Sequence, residues 1–509
     1  MSNYSIRRAA ILLVFVTIIE KILGFGREMV LASQFGASNL TDAYNAGYLI
    51  PYFITALLYA GLINVYAPVF LSEKEIDEHR AWDKINSIST YLMMILFGIT
   101  IVCIFFSKDI ASVLYPGFDE KNLYATAAIS SIFFVGIFIY SAAIIQGSLL
   151  NCFRHFVYPL IAICLLSLGQ IISVLIFGGK TNINSIAYGY IGGAVLGFLI
   201  QFIKLKSIKG RFNINFKVYP EFSSRFFGLL FPVLVATSMS QINVFVDRIF
   251  ASYLPAGSMS YLSYGNKIVE LPITLFSGII ATIIFPDIIE YINKNDSEKL
   301  KIYINKALII TLIFLIPSLV GLGVLNKDIV KLLYERNVFN NSDTINTASA
   351  LFYYSPTIIF YGCTAVISKI YYSMKNTKTL MYISIFTIAL NGVLDYVLMK
   401  SMAHNGLALA TSIVSALQFG AAYLFLRKKI DISMSSYLLK NIFKICIAST
   451  AMAAVLYTVK TYLPLKSLLM FVAFSVTAGV AVYFILIQVL KVDEVSLLIN
   501  KIKHREAKI

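Results

Sequence analysis

Charge is scarce in this chain. Only 13% of its 509 residues are Asp, Glu, Lys or Arg, against 58% hydrophobic, a balance that excludes an ordinary soluble domain. No hydrophilic stretch is long enough to house soluble chemistry, so the chain is not expected to be an enzyme. The five cysteines, Cys103, Cys152, Cys164, Cys363 and Cys446, lack C-x-x-C spacing. They encode neither a zinc site nor a redox motif, and read as inert packing residues in or beside apolar runs. The four histidines form no H-E-x-x-H or similar metal pattern. Tryptophan occurs once, at Trp82 in the charged loop 72–87, where it is expected to mark a membrane interface.

What the chain does have is long apolar runs. Stretches able to span about 30 Å as helices recur fourteen times between residues 9 and 489. The expected fold is therefore an all-α polytopic membrane protein with fourteen transmembrane helices. The net charge of +16 could suggest nucleic acid, but the positions of the cations argue otherwise. Lys and Arg favour one set of alternate loops and both termini by roughly three to one, which places both termini in the cytoplasm. The basic balance is topological, and no nucleic-acid partner is expected. Arg7 and Arg8 precede the first apolar run, but Glu20 and Lys21 interrupt it and no small-residue cleavage pattern follows, so it reads as a retained helix. The segment from Lys204 to Arg225, with aromatic Phe212, Phe216 and Tyr219 among its cations, reads as an amphipathic surface linker against anionic headgroups.

The stretch Glu20-Lys21-Ile22-Leu23-Gly24-Phe25-Gly26-Arg27-Glu28 sets four charges inside the first membrane-length run. At about 100° per residue, Glu20 and Arg27 fall in one column and Lys21 and Glu28 in the next. Each charge near a bilayer centre costs about 2.5–3.5 kcal/mol on insertion scales, so this face turns to a bundle interior or a water-filled cavity. A transport pathway explains that face, and so does an ion-pair network that only holds helices together. Gly24 and Gly26 are expected to permit close backbone approach.

An internal repeat organises the chain. Arg27, Gly36, Asn45 and Pro51 recur as Arg248, Gly257, Asn266 and Pro272 at one constant offset, so both halves contain R-x8-G-x8-N-x5-P. An even number of helices separates the copies, so the halves enter the membrane in the same orientation and form two pseudo-symmetric six-helix lobes. The expected divisions are an N-lobe at 1–206, a linker at 207–225, a C-lobe at 226–430, and two further helices with a cytoplasmic tail at 431–509. Substrate sites in such transporters lie between lobes that rock to give alternating access. In the second half, Lys267 and Glu270 are three apart on one helix and can meet. Asn391 and Asp395 stand at i, i+4, and Asp247 and Thr411 lie on other helices. Together they make a hard oxygen set of the kind a small cation prefers, although Asp395 satisfied by Asn391, or paired with Arg248, needs no ion.

The stretches KILGFGREMVLASQFGASNLTDAYNAGYLIP (21–51) and SQINVFVDRIFASYLPAGSMSYLSYGNKIVELP (240–272), with the fourteen-helix count, resemble the bacterial lipid II flippase family, MurJ or MviN, of the multidrug/oligosaccharidyl-lipid/polysaccharide exporter superfamily. The resemblance covers essentially the whole chain. It implies a multi-pass protein of the bacterial cytoplasmic membrane that moves an undecaprenyl-pyrophosphate-linked peptidoglycan precursor from the inner to the outer leaflet, in cell-wall biogenesis and cell shape. It implies substrate-binding roles for Arg27, Glu28, Asp42 and Lys267, and Lys21 and Glu270 join the expected substrate-binding set from their own positions beside these charges. It further implies a sodium site built from Asp247, Asn391, Asp395, Thr411 and the backbone carbonyl of Leu407, with sodium or the membrane potential driving the cycle. Its partners would be lipid II and membrane lipids, and the chain is expected to act as a monomer.

Two residues depart from the family pattern. Thr55 stands where the family has a helix 2 arginine, and Lys267 replaces another. Lys binds phosphate as a point charge rather than a bidentate fork, so headgroup recognition is expected to be looser, with Lys21 available as a third cation. The last two helices, which lack the repeat's charges, are expected to form a greasy groove for the polyprenyl chain. Alternatives are a flippase for another lipid-linked glycan, an exporter of amphiphilic cations, and a membrane-embedded glycan polymerase, for which the external segments are short.

Overall fold

The computed structural model describes residues 3–494 apart from 180–181, 209, 295, 375, 431–435, 464–466 and 493. At 3–11, 14, 236, 239–240, 277–287 and 293 it describes backbone alone. The tail expected in the cytoplasm beyond residue 494 lies outside the described residues. Regular structure among the described residues is helical throughout. The first series is α1 (Asn3–Phe35), α2 (Asn39–Lys74), α3 (Glu78–Phe105), α4 (Ser107–Leu114), α5 (Glu120–Cys152), α6 (Val157–Phe177) and α7 (Asn184–Ser207). The second is α8 (Pro220–Ala251), α9 (Ser258–Asn293), α10 (Ser297–Val324), α11 (Asn326–Tyr334), α12 (Asn341–Tyr354), α13 (Thr357–Ser373), α14 (Thr377–Met402) and α15 (His404–Ile430). Two helices follow, α16 (Ser436–Tyr462) and α17 (Leu468–Val489).

Local chemistry sets the helix starts. Asp77 before α3 accepts from the backbone N–H groups of His79 at 2.8 Å and Arg80 at 3.1 Å. Asp119 does the same for α5 through Asn122, and Asp296 for α10 through Lys299. Each carboxylate satisfies a donor that the first helical turn leaves without a partner. The helix order of the first series repeats in the second, where α5 is matched by α12 and α13, bent by 41° across Ser355 and Pro356. The repeated glycines share a conformation as well as a spacing, since Gly36 has φ 63° and Gly257 φ 88°. Both occupy the left-handed region, where a side chain is strained.

Ten described helices are long and apolar enough to cross a membrane, and the bent pair α12–α13 makes an eleventh. The chain is a multi-pass membrane protein. It divides into two compact units, residues 1–260 with 336–340, and residues 261–335 with 341–509. In the first, α5 packs on α2 and α7, α6 on α1 and α7, and α8 on α2. In the second, α15 packs on α13 and α14, and α16 on α10 and α17. The core of the second unit runs through Ile304, Ile313, Ile367, Ile445 and Ile487.

Between α7 and α8, residues 210–219 form no helix. This linker lies along α3, where Ser87 Oγ donates to the Lys217 carbonyl, Tyr91 OH donates to that of Phe216 at 2.7 Å, and Asn215 N–H donates to Thr90 Oγ1 at 3.0 Å. Its Ile214, Phe216 and Val218 alternate outward and stay exposed. Trp82, by contrast, does not mark an interface. It is 2% exposed and stacks on Phe153 at 5.8 Å with Phe70 at 5.0 Å, because a cluster at the junction of α2, α3 and α5 buries more of its ring than a bilayer surface would.

Helices α6 and α7 pack with their backbones in close contact. Carbons added at Gly169, Gly189 or Gly193 would collide with the facing backbone, whereas one at Gly192 would meet nothing within 4 Å. Small residues let membrane helices approach in this way. Gly189→Val is therefore expected to destabilise the fold by about 1–3 kcal/mol through overpacking, read as a lowered melting temperature and lost monodispersity in detergent. Gly192→Ala should leave both unchanged.

Candidate functional site

In the first unit, α1 carries the four mid-helix charges, and they compensate one another in two adjacent pairs. Lys21 Nζ lies 3.2 Å from Glu20 Oε2, with the Lys21 side chain 47% exposed. Arg27 Nη2 donates to Glu28 Oε1 at 2.6 Å, with side-chain exposures of 18% and 7%. Neighbouring positions on a helix diverge, so the pairs form only because these side chains are long enough to fold back along the axis.

A third group completes the arginine's setting. Arg27 Nη1 donates to Gln170 Oε1 on α6 at 3.1 Å, and Gln170 is fully buried. Arg27 Nε is buried with no acceptor among the described residues. Gln170 was not singled out by the sequence reading. A lone amide in the otherwise apolar run of α6 was the available signal, since a buried polar group needs a partner.

Gly24 and Gly26 do not serve close packing. A Cβ at Gly24 would meet nothing within 4 Å, and at Gly26 only Ile171 Cδ1 at 4.0 Å. Gly24 stands one turn from Glu20 on one side and from Arg27 and Glu28 on the other, so its missing side chain leaves the charged face of α1 open.

Asp42, in the first turn of α2, is 4% exposed. Its Oδ2 accepts from Gly257 N–H at 2.7 Å, and its Oδ1 from Ser260 N–H at 2.8 Å and Ser260 Oγ at 2.6 Å. A carboxylate at a helix N-terminus is favoured by the helix dipole and the free N–H groups there. Arg248 Nη1 donates to the Met259 carbonyl at 2.8 Å, so both residues grip the turn that opens α9. Thr55 Oγ1 donates back to the Pro51 carbonyl at 3.0 Å. Asp247, beside Arg248 on α8, is half-buried in this unit.

In the second unit, Lys267 Nζ and Glu270 Oε2 are 2.9 Å apart, with side chains 40% and 46% exposed, and Asn266 Nδ2 donates to Glu270 Oε1 at 3.2 Å. On α14, Asn391 Nδ2 donates to Asp395 Oδ2 at 2.8 Å, with both residues fully buried. On the neighbouring α15, Thr411 Oγ1 donates to the Leu407 carbonyl at 3.0 Å. These residues offer carboxylate, amide, hydroxyl and carbonyl oxygens on two packed helices, a donor set that fits a hard monovalent cation.

The same unit contains an apolar cavity of about 420 Å³, walled by α9, α10, α11, α16 and α17 through Pro272, Phe276, Pro317, Leu456, Val480 and Phe484 among others. The chemistry available is thus a face of α1 with two ion pairs, a half-exposed lysine–glutamate pair on α9, and a hydrocarbon-lined chamber.

Comparison with known proteins came down on one family. The family described as Lipid II flippase MurJ matches residues 31–477. The chain is 29% identical over 467 residues to a probable lipid II flippase MurJ of Buchnera aphidicola subsp. Baizongia pistaciae, covering 89% of this chain and 90% of that protein. It is 29% identical over 497 residues to one from Thermotoga maritima, covering 96% and 97%. A solved structure of a lipid II flippase MurJ in an inward closed conformation matches with a TM-score of 0.81 at 26% identity, covering 95% of this chain and 100% of that one. An inward-facing multidrug resistance MATE family transporter of the MOP superfamily matches at a TM-score of 0.71 and 14% identity, over 83% of this chain and 98% of that one, and shares the fold alone.

Asp42→Ala would strand three buried donors at the start of α9. It is expected to cost about 1–3 kcal/mol, measured as a fall in melting temperature of the purified protein, with Asp42→Asn intermediate because its amide keeps one acceptor oxygen.

Proposed function

The chain belongs to the lipid II flippase MurJ family, and from that premise we propose that it carries lipid II, an undecaprenyl-pyrophosphate-linked peptidoglycan precursor, across the membrane by alternating access. The observation that carries this reading is the setting of Arg27. A guanidinium in a membrane helix is held by one carboxylate and one amide, keeps its Nε–H without an acceptor among the described residues, and stands one turn from Gly24, where there is no side chain to fill the space. An anionic phosphate oxygen suits such a donor, and guanidinium recognises phosphate through paired N–H groups.

In this reading the pyrophosphate meets Arg27, with Lys21 and Lys267 as further cations. Glu28 and Gln170 orient the guanidinium, and Glu20 and Glu270 balance the lysines until the headgroup arrives. Asp42 acts on the turn that opens α9. The apolar cavity walled by α16 and α17 receives the polyprenyl chain, so that the headgroup never crosses hydrocarbon. Binding shifts the transporter between states only through its differential affinity for them. Counting α12 with α13 and leaving aside the short α4 and α11, the seventeen described helices are proposed to make fourteen spans, arranged as two six-helix lobes plus two, with both termini in the cytoplasm and the chain acting as a monomer.

Sodium is proposed as coupling ion, held by Asn391, Asp395, Thr411 and the Leu407 carbonyl, with Asp247 as the remaining expected ligand. A bound cation would place a positive charge beside a fully buried carboxylate, where charge is costly to hold. A second reading is favoured by Thr55 and Lys267, which stand where the family has arginines. A point charge discriminates less by shape, so a different polyprenyl-linked glycan is the competing cargo.

Reconstituted flipping of defined lipid-linked substrates tests the assignment. Arg27→Ala is expected to reduce lipid II transport at least tenfold and Gly24→Leu to reduce it without lowering the melting temperature, while Gln170→Leu falls between wild type and Arg27→Ala. Unaltered transport in Arg27→Ala would remove the headgroup role. Preference for a teichoic-type or capsule precursor would favour the second reading.

The sodium site has a test that needs no transport. Sodium chloride is expected to raise the melting temperature of the wild type above its value in equal potassium chloride, and Asp395→Asn to abolish the difference. Identical melting in the two salts would count against the site.

A further inference from the structure

A second cationic site lies apart from the charges used above. At one end of the second unit, where α9, α13 and α15 finish and α10 begins, a cavity of about 500 Å³ is lined by Lys301, Lys428 and Lys429 together with the apolar Ile292, Leu300 and Ile430. Both α10 and α15 are membrane-length helices, so a cavity at their ends lies at a membrane boundary.

The acids nearby are already engaged. Glu290 lies 2.5 Å from Lys294, Asp296 3.2 Å from Lys299, and Glu298 3.1 Å from Lys301. Lys428 and Lys429 are exposed in the last turn of α15 and make no ion pair among the described residues. The helix dipole favours cations at that end, which accounts for their presence. It does not account for their gathering with Lys301 round a concavity whose other wall is aliphatic.

We propose that this cavity binds the phosphate head of an anionic phospholipid. Lys428, Lys429 and Lys301 face the phosphate, and Ile292, Leu300 and Ile430 face the glycerol and the first acyl carbons. Basic pockets between membrane helices take such heads. A soluble phosphate would use the lysines and leave the aliphatic wall idle, so the lipid is the occupant that uses both. The site is separate from Arg27 and does not depend on which glycan is carried.

Native mass spectrometry of the full-length protein, delipidated and then offered phosphatidylglycerol or phosphatidylcholine, tests the proposal. Wild type is expected to retain phosphatidylglycerol in preference to phosphatidylcholine. The double substitution Lys428→Gln/Lys429→Gln should weaken that retention on the order of tenfold, while the double substitution Lys108→Gln/Lys121→Gln, in the first unit, leaves it intact. Equal retention of the two lipids, or equal retention by wild type and the Lys428→Gln/Lys429→Gln protein, would overturn it. Displacement of the lipid by millimolar inorganic phosphate would overturn it too, by assigning the lysines to a free anion.

Discussion

A charge inside a membrane helix has to be compensated where it stands. Water is not there to do it, and the cost of leaving it bare is comparable to the margin by which a folded domain is stable. In the first unit this constraint is met at Arg27 by Glu28 on the same helix and Gln170 on α6. The packing of α1 on α6 is thereby tied to the charge that the proposed function needs. The compensation is partial, because the Arg27 Nε–H has no acceptor among the described residues. A fully satisfied network would hold helices together and have nothing left to offer a ligand, so an incompletely satisfied one is what a binding site requires.

The same logic separates two kinds of charge. Asp42 receives three hydrogen bonds at the start of α9, and its negative charge is used up in fixing that turn. Lys267 and Glu270 are half-exposed and paired through flexible side chains, an arrangement easily exchanged for a phosphate. In the second unit Asp395 is buried with an amide as neighbour, and the hydrocarbon-lined cavity lies among helices that contribute no charge to it. In the proposed reading, the head of the cargo would meet the charged groups and its tail the hydrocarbon-lined cavity.

Sequence reasoning succeeded where one local property decides the outcome. Apolar length marked a multi-pass membrane protein, with ten described helices, or eleven with the bent pair, long and apolar enough to cross against the fourteen expected, and the displaced R-x8-G-x8-N-x5-P pattern marked two glycines that prove to share a left-handed backbone. It failed where the partner lies far along the chain. Gly24 and Gly26 suggested tight packing, but no described neighbouring element fills that space, and glycines such as Gly169, Gly189 and Gly193 bring backbones together instead. Trp82 suggested an interface because single tryptophans often sit there, yet Phe70 of α2 and Phe153 at the end of α5 enclose it. Helical columns grouped Glu20 with Arg27, whereas rotamer reach paired each charge with its immediate neighbour.

By itself the sequence determined that this chain lives in a membrane, that it is helical, that its halves share a motif, and which few residues carry charge into the apolar spans. Those properties follow from composition and period, which every residue reports locally. Only the tertiary structure decided that Gln170 holds Arg27, that Asp42 is spent on a turn, that the charged face of α1 is left open, and that three lysines from α10 and α15 share one cavity. Such facts depend on which helix faces which, and that is set by the packing of many side chains at once.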